Sequence, residues 1–313
     1  MEVRGAQSSK SWPLVDRIAL WACWAAGMLL LAAAAAIVIY MGIRGIQYLR
    51  PEQIFSSPQA DLDQSKSGGF LDPLIGTFIL TVLGTLLAAP LGVAIAVWLV
   101  EYGRPFGLAR LVESGVEVVA GTPSIVLAIF GLILFSNGAF KILSFQAEGG
   151  SVFGRSFLVA GVMMSLIALP LVVGGTREAL QAIPRHVREA SYALGKTRGA
   201  TIRRVLLPAA RPGIATGTAL GMGRIAGDTA VVVILLGATQ QLSSFDGAPW
   251  PFSTLRGTGS TLTSYVFNNS PAGEGNAPDK AYAAAFVLLG IVVFLNFAVD
   301  TIVRRRGAPA WSE

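Results

Sequence analysis

The sequence predicts an all-α integral membrane protein with six transmembrane helices, and three observations lead there. Hydrophobic residues make up 53% of the 313-residue chain and charged residues 13%, with a mean hydropathy of +0.61, far from the balance of soluble domains. Apolar stretches of about 20 residues, enough to cross a core of roughly 30 Å as helices, recur along the chain. Lys and Arg gather on alternate sides of those stretches, which sets an orientation.

The first stretch is 18–43 and the second 74–100, which contains Pro90; a membrane helix tolerates proline where neighbours satisfy the freed carbonyl. The third, 116–135, carries Gly121-Thr122-Pro123-Ser124 as a kink near its start. The fourth, fifth and sixth are 157–175, 214–236 and 281–303. With the N-terminus inside, 16 basic residues fall in cytoplasmic segments: Arg4, Lys10, Arg17, Arg104, Arg110, eight from Arg177 to Arg211, and Arg304 to Arg306. Seven fall outside, and Arg224 lies within a span. Basic loops stay in the cytoplasm, so both termini are expected there. The expected organisation is a cytoplasmic tail (1–16), a first helix with an external loop (17–73), a transmembrane domain (74–303) containing a cytoplasmic loop at 176–213, and a cytoplasmic tail (304–313).

A pI near 9.8 does not indicate nucleic acid, because the basic residues follow membrane topology and no aromatic stacking platform interleaves them. The apolar run of the first span is about twice that of a signal peptide, so the alanines at 32–36 read as part of a retained anchor. A single cysteine, Cys23, excludes internal disulfides and cysteine-based metal sites. No metal-ligand cluster, paired carboxylates or Ser-His-Asp set stands in a plausible site, so neither cofactor nor catalysis is expected.

Gly195-Lys196-Thr197 resembles the end of a phosphate-binding P-loop, but that loop needs a glycine five residues earlier and a strand leading in. Ala190 holds the first position, and the preceding REALQAIPRHVR reads as amphipathic helix and turn. Val187, Ala190, Ala193 and Leu194 recur at helical spacing; Gly195 and Gly199 permit a break; Ile202, Val205 and Leu206 begin a second amphipathic turn, ended by Pro208. Two short helices joined at glycine would make a rigid knob.

Within this knob Glu189-Ala190-Ser191, Gly195, Val205 and Leu207-Pro208 resemble the EAA signature of permease subunits of ABC importers, with Ser191 in place of the usual alanine and Val205 in place of isoleucine. The stretches GGFLDPLIGTFILTVLGTLLAAPLGVAIAVWLVEYG, VEVVAGTPSIVLAIFGLILF, GRIAGDTAVVVILLGAT and SYVFNNSP extend the resemblance over nearly the whole chain. It is closest to the PstA family of phosphate-importer permeases, with the related PstC subunits similar in the loop and fifth span. The resemblance implies a type I ABC importer permease fold in a bacterial inner membrane. It also implies docking of the EAA loop onto a separate, PstB-like ATPase dimer, a PstC-like homologous partner, and a PstS-like periplasmic binding protein that delivers phosphate.

Arg224 and Asp228 are the charged residues deep within a span, each costing about 2.5 to 3.5 kcal/mol on insertion scales. Their i, i+4 spacing puts them on one helical face, with Gly213, Gly217 and Gly221 on the same arc and Gly223 and Gly227 just beside it, a face open to close approach by a helix or a substrate. The pair reads either as a structural ion pair or, as the resemblance of its Arg-x3-acid pattern to the PstA family implies, with Asp228 where glutamate is usual, as part of an anion pathway between subunits. Arginine's planar fork suits phosphate; Asp228 would accept a proton from hydrogen phosphate or neutralise Arg224 between turnovers. His186 and the Glu113, Glu117 pair read as solvated, Glu101 and Tyr102 as capping contacts at the end of the second span, and Trp98 and Trp250 as interface aromatics. An importer of another oxyanion, molybdate or sulfate, would share this architecture. A stand-alone secondary transporter would show inverted repeats and broken helices in both halves, and the sequence displays no such symmetry.

Overall fold

The computed structural model describes residues 14–59, 68–103, 105–144, 153–237, 242, 252–271, 273 and 277–305. The expectations for the tails at 1–13 and 306–313, and for Lys66, Arg104 and Trp250, lie outside them.

Helix α1 (Leu14–Tyr48) presents apolar side chains from Trp21 to Ile46 to the surroundings, as suits lipid. It buries only Gly45, where it rides over Phe286 of the last helix. A short α2 (Pro51–Phe55) leads to α3 (Leu71–Val97), which runs unbroken through Pro90 and ends in a π turn at Trp98–Tyr102. Helices α4 (Phe106–Gly121) and α5 (Ser124–Phe135) follow, then α6 (Phe157–Ala182). The segment between the fourth and fifth spans forms α7 (Arg185–Ala193), α8 (Arg198–Thr201) and a π turn at Ile202–Leu206 that flows into α9 (Leu207–Gly227). Helices α10 (Thr229–Leu236), α11 (Phe252–Leu255), α12 (Leu262–Asn269) and α13 (Pro278–Arg305) complete the described chain, which is free of strands.

Helices α1, α3 with its π turn, α6 and α13 are each long and apolar enough to cross a membrane. The third and fifth spans are bent pairs, and counting each pair once brings the number to six. The third differs from its expectation. Gly121–Ser124 is no mild kink but a turn of 107° between α4 and α5. Thr122 and Pro123 adopt extended ψ values of 131° and 135°, and Pro123 caps α5, where a residue without an N–H costs no helical bond. Helix α4 buries no residue. The fifth span is not one straight helix either: it breaks by 57° at Asp228.

Helix α6 is the axis of the fold, burying Phe157, Met163, Met164, Ala168 and Val172, with α3 against one flank and α9 against another. The approach of α9 is set by glycine. A Cβ on Gly175 would stand 2.9 Å from the Cα of Gly217, and one on Gly217 would stand 2.8 Å from the Leu171 carbonyl. Such small-residue seams drive helix association where the solvent is as apolar as the side chains. The outer ends of α5 and α10 close over the same core through Ala128, Val231 and Leu235.

Candidate functional site: an exposed stripe on α9 and a cytoplasmic knob

The glycine face of α9 predicted from the sequence divides in two. Gly213, Gly217 and Gly221 pack against Ala179, Leu171 and Ala168 of α6, so that face is a helix–helix seam and is closed to substrate. Gly223 and Gly227 meet nothing where a side chain would go. They belong to a second stripe, with Thr216, Leu220 and Arg224, turned away from α6. A cavity of about 470 Å³ lies along it, lined by Thr216, Ala219, Leu220 and Gly223 of α9 and by Asn296 and Val299 of α13.

Arg224 and Asp228 do not occupy one continuous helix. Asp228 leaves the helical backbone (φ −82°, ψ 115°) and is the N-cap of α10, its Oδ1 accepting the Val231 N–H at 3.1 Å. Capping satisfies a donor that the helix break would otherwise orphan in apolar surroundings. The other oxygen, Oδ2, lies 3.8 Å from Arg224 Nη2, and the two side chains are 4% and 53% exposed respectively. That distance is an ion pair rather than a hydrogen bond. The pair is asymmetric: the carboxylate is buried, whereas the guanidinium is half-exposed on the side of the open stripe. One carboxylate thus fixes the helix break and holds the arginine's charge locally.

The knob between α6 and α9 carries the other predicted residues. Gly195 (φ +73°) ends α7 in a Schellman motif, with its N–H donating to Tyr192 O at 2.9 Å and that of Lys196 to Ser191 O at 3.3 Å. Thr197 then caps α8, accepting the Ala200 N–H. Gly-Lys-Thr is therefore a helix–turn–helix joint, with no strand leading in. Buried Ser191 and Thr201 share a hydrogen bond at 2.9 Å that ties the two arms together. Glu189 and Ala190 are exposed, as are Ala193 and Leu194, the last at 78%. The apolar residues at helical spacing thus point outward, except Val187, which is buried. Pro208 does not end the second turn. It stands in the first turn of α9, where its missing N–H matters little, and the preceding π turn, with Leu207 N–H bonded to Ile202 O, carries the helix past it. Val205 and Leu207 sit half-buried at this junction.

Sequence reasoning missed what holds the knob in place. Arg188 Nε donates to Glu101 Oε1 at 3.0 Å, and its two terminal nitrogens donate to the carbonyls of Ile183 (2.6 Å) and Leu180 (2.8 Å). Arg198 lies 5.0 Å over the Tyr102 ring. Glu113, expected to be solvated, pairs with Arg177 of α6, both half-exposed. Glu117 and His186 are exposed, as expected. Residues 87 apart leave no spacing signal in a single sequence; the one available hint was a carboxylate and an arginine both sitting at cytoplasmic helix ends.

Residues 88–307 match the model of the family described as "Binding-protein-dependent transport system inner membrane component". The chain belongs to this family. It is 34% identical to the "Probable ABC transporter permease protein YqgH" of Bacillus subtilis, across 72% of this chain and 73% of that one. It is 32% identical to the "Phosphate transport system permease protein PstA 1" of Mycobacterium tuberculosis, across 79% of this chain and 75% of the relative. Its fold is that of a chain in a bacterial alginate ABC transporter solved with its alginate-pentasaccharide-bound periplasmic protein. That match has a TM-score of 0.61 and 16% identity, and covers 93% of this chain and 96% of that one. The protein is thus a helical inner-membrane permease component with the type I ABC importer fold.

Proposed function

We propose that this permease forms, with a homologous second membrane subunit, the path by which inorganic phosphate enters a bacterial cell at the cost of ATP hydrolysed by a separate subunit. The observation that carries the reading is Arg224, half-exposed on the open stripe of α9. A charge facing lipid at that depth is costly, so such residues face protein or a water-filled path. Exposed Asn296 beside the cavity adds an amide that lipid would not satisfy, whereas the Thr216 hydroxyl donates to the Pro212 carbonyl at 3.0 Å. A second permease subunit covering this face leaves the guanidinium at the seam, where its planar fork matches a phosphate. The phosphate-transport relative supports that anion over molybdate or sulfate.

The remaining assignments follow the membrane topology. Both termini are cytoplasmic, by the distribution of basic residues. Residues 17–73 form a peripheral anchor and external loop, 74–303 the transport domain, and the tails at 1–16 and 304–313 flank them. Glu189, Ala190, Ser191, Gly195, Val205, Leu207 and Pro208 form the coupling knob that seats in an ATPase dimer, with Glu189, Ala190 and Leu194 at its exposed surface. A periplasmic phosphate-binding protein delivers substrate from the other side. The test is uptake of radiolabelled phosphate by the assembled complex with Arg224→Lys, normalised to complex recovered. A loss of about tenfold or more supports the path, since an ammonium lacks the bidentate fork; unchanged uptake contradicts it.

A further inference from the structure

We infer that Arg188 and Glu101 are positioning residues that lock the knob to the cytoplasmic ends of α3 and α6, so that ATPase motion reaches the membrane through them. The inference rests on the coupling role proposed above for the knob.

Glu101 and Asp228 are the buried carboxylates among the described residues. Asp228 is accounted for as a helix cap, whereas Glu101 caps nothing. It lies within the π turn that ends α3, a distortion that costs helical hydrogen-bond geometry and recurs at functional positions. A burial this complete, with a side chain 6% exposed, persists only where a partner compensates the charge. That partner is Arg188, one residue before Glu189 on α7. Its three contacts go to three places: the end of α3 through Glu101, the end of α6 through Leu180 O, and the α6–α7 link through Ile183 O.

The apolar packing beneath converges on the same joint. Leu180, Ile202 and Leu206 are buried together with Val97 and Val100 against them, so the π turns at Trp98–Tyr102 and Ile202–Leu206 meet under the knob. Arg198 over Tyr102 adds a second link from α8 to the α3 terminus. Displacement of α7 therefore cannot leave α3 behind without exposing the buried Glu101 charge, nor α6 behind without breaking the bonds to the Leu180 and Ile183 carbonyls. Because α9 continues covalently from α8, the same displacement moves the helix that carries Arg224. The clamp makes the knob and the helices of the transport core one lever.

The test uses the complete complex of this permease, its partner subunit, the ATPase and the phosphate-binding protein in proteoliposomes, with Glu101→Gln and Arg188→Lys. Glu101→Gln keeps size and an acceptor but removes the charge; Arg188→Lys keeps the charge but cannot reach three acceptors. The quantities are ATPase recovered with the permease and phosphate imported per ATP hydrolysed. The inference expects ATPase recovery within twofold of wild type, continued ATP hydrolysis, and a phosphate-to-ATP ratio lowered at least tenfold. Exchanging the two residues (Glu101→Arg with Arg188→Glu) should not rescue it, because the carbonyls of Leu180 and Ile183 would lose their donors. An unchanged ratio in both single variants overturns the inference, as does a ratio that falls only in step with lost ATPase recovery, which would make the pair a scaffold for docking. Wild-type permease that recovers no ATPase would instead remove the coupling role of the knob, and the lever with it.

Discussion

Replacing Asp228 separates its two tasks. As the α10 N-cap it accepts the Val231 N–H at 3.1 Å, an interaction whose loss to alanine costs about 1 kcal/mol. As a charge it stands 3.8 Å from Arg224, which at an effective dielectric of about 20 is an attraction of about 4 kcal/mol. Arg224 is 53% exposed, so solvent screening brings that attraction down to the order of 1 kcal/mol. Asparagine caps as well as aspartate, so Asp228→Asn removes the charge alone, while Asp228→Ala removes both. Asp228→Asn should assemble like wild type and, having lost only that screened attraction, melt slightly lower. It should bind phosphate in the path about fivefold more tightly, the equivalent of about 1 kcal/mol, and release it more slowly, lowering turnover. Asp228→Ala should share that phenotype and, with the cap lost as well, melt a few degrees below Asp228→Asn. The assays are thermal unfolding of the detergent-solubilised complex and the concentration dependence of phosphate uptake. If Asp228→Asn matches wild type in uptake while Asp228→Ala alone is impaired, the carboxylate is only a cap and its charge plays no part in transport.

The isolated chain should show no saturable ATP binding, because Gly195-Lys196-Thr197 is a Schellman turn and cap; isothermal titration of wild type against Lys196→Ala checks this, and binding lost in the variant would refute it. Gly195→Leu must place a side-chain residue at φ +73°, at a cost of about 1 kcal/mol, and Glu189→Lys inverts an exposed charge on the knob. Both should insert normally yet lose ATPase in pull-down and lose uptake; full recovery of both would refute docking. Gly217→Val would drive a Cβ to 2.8 Å from the Leu171 carbonyl, with overpacking of about 1 to 3 kcal/mol, and should lower the yield of folded permease. Gly223→Val meets open space and should fold like wild type, which a thermal-stability comparison of the two decides.

Much of this architecture was legible because hydropathy and charge are local properties. The six apolar stretches match four straight helices and two bent pairs, and the loop glycine at 195 joins α7 to α8 as its neighbours implied. The break at Asp228 was missed although its signal was present. Gly227-Asp228-Thr229 before a purely apolar run is an N-cap pattern, but the i, i+4 spacing of Arg224 and Asp228 gave equal support to an unbroken helix. Gly121-Thr122-Pro123-Ser124 announced a bend without its size, since the angle depends on how α5 packs over Met163 and α4 does not. Inverted repeats with broken helices in both halves are the mark of a secondary transporter; α4–α5 and α9–α10 are both broken here, so helix breaks alone do not separate the two classes. The division of the glycines between a sealed seam and an open stripe depends on α6, and the Arg188 clamp on α3. Neither partner stands near them in the sequence.

The central claim, that the open stripe of α9 lines an aqueous anion path, is tested most directly by thiol accessibility in the assembled complex. Single cysteines at Thr216, Leu220 and Gly223, in a Cys23→Ser background that removes the exposed native thiol, are challenged with a charged, membrane-impermeant thiol reagent during ATP-driven turnover. Thiolates form, and react, only where water reaches them. The account predicts modification at all three positions, slowed by saturating phosphate and accompanied by loss of uptake, with a control cysteine at exposed Leu30 of α1 unreactive. Protection of the α9 cysteines equal to that of the α1 control would contradict it, by placing the stripe against lipid.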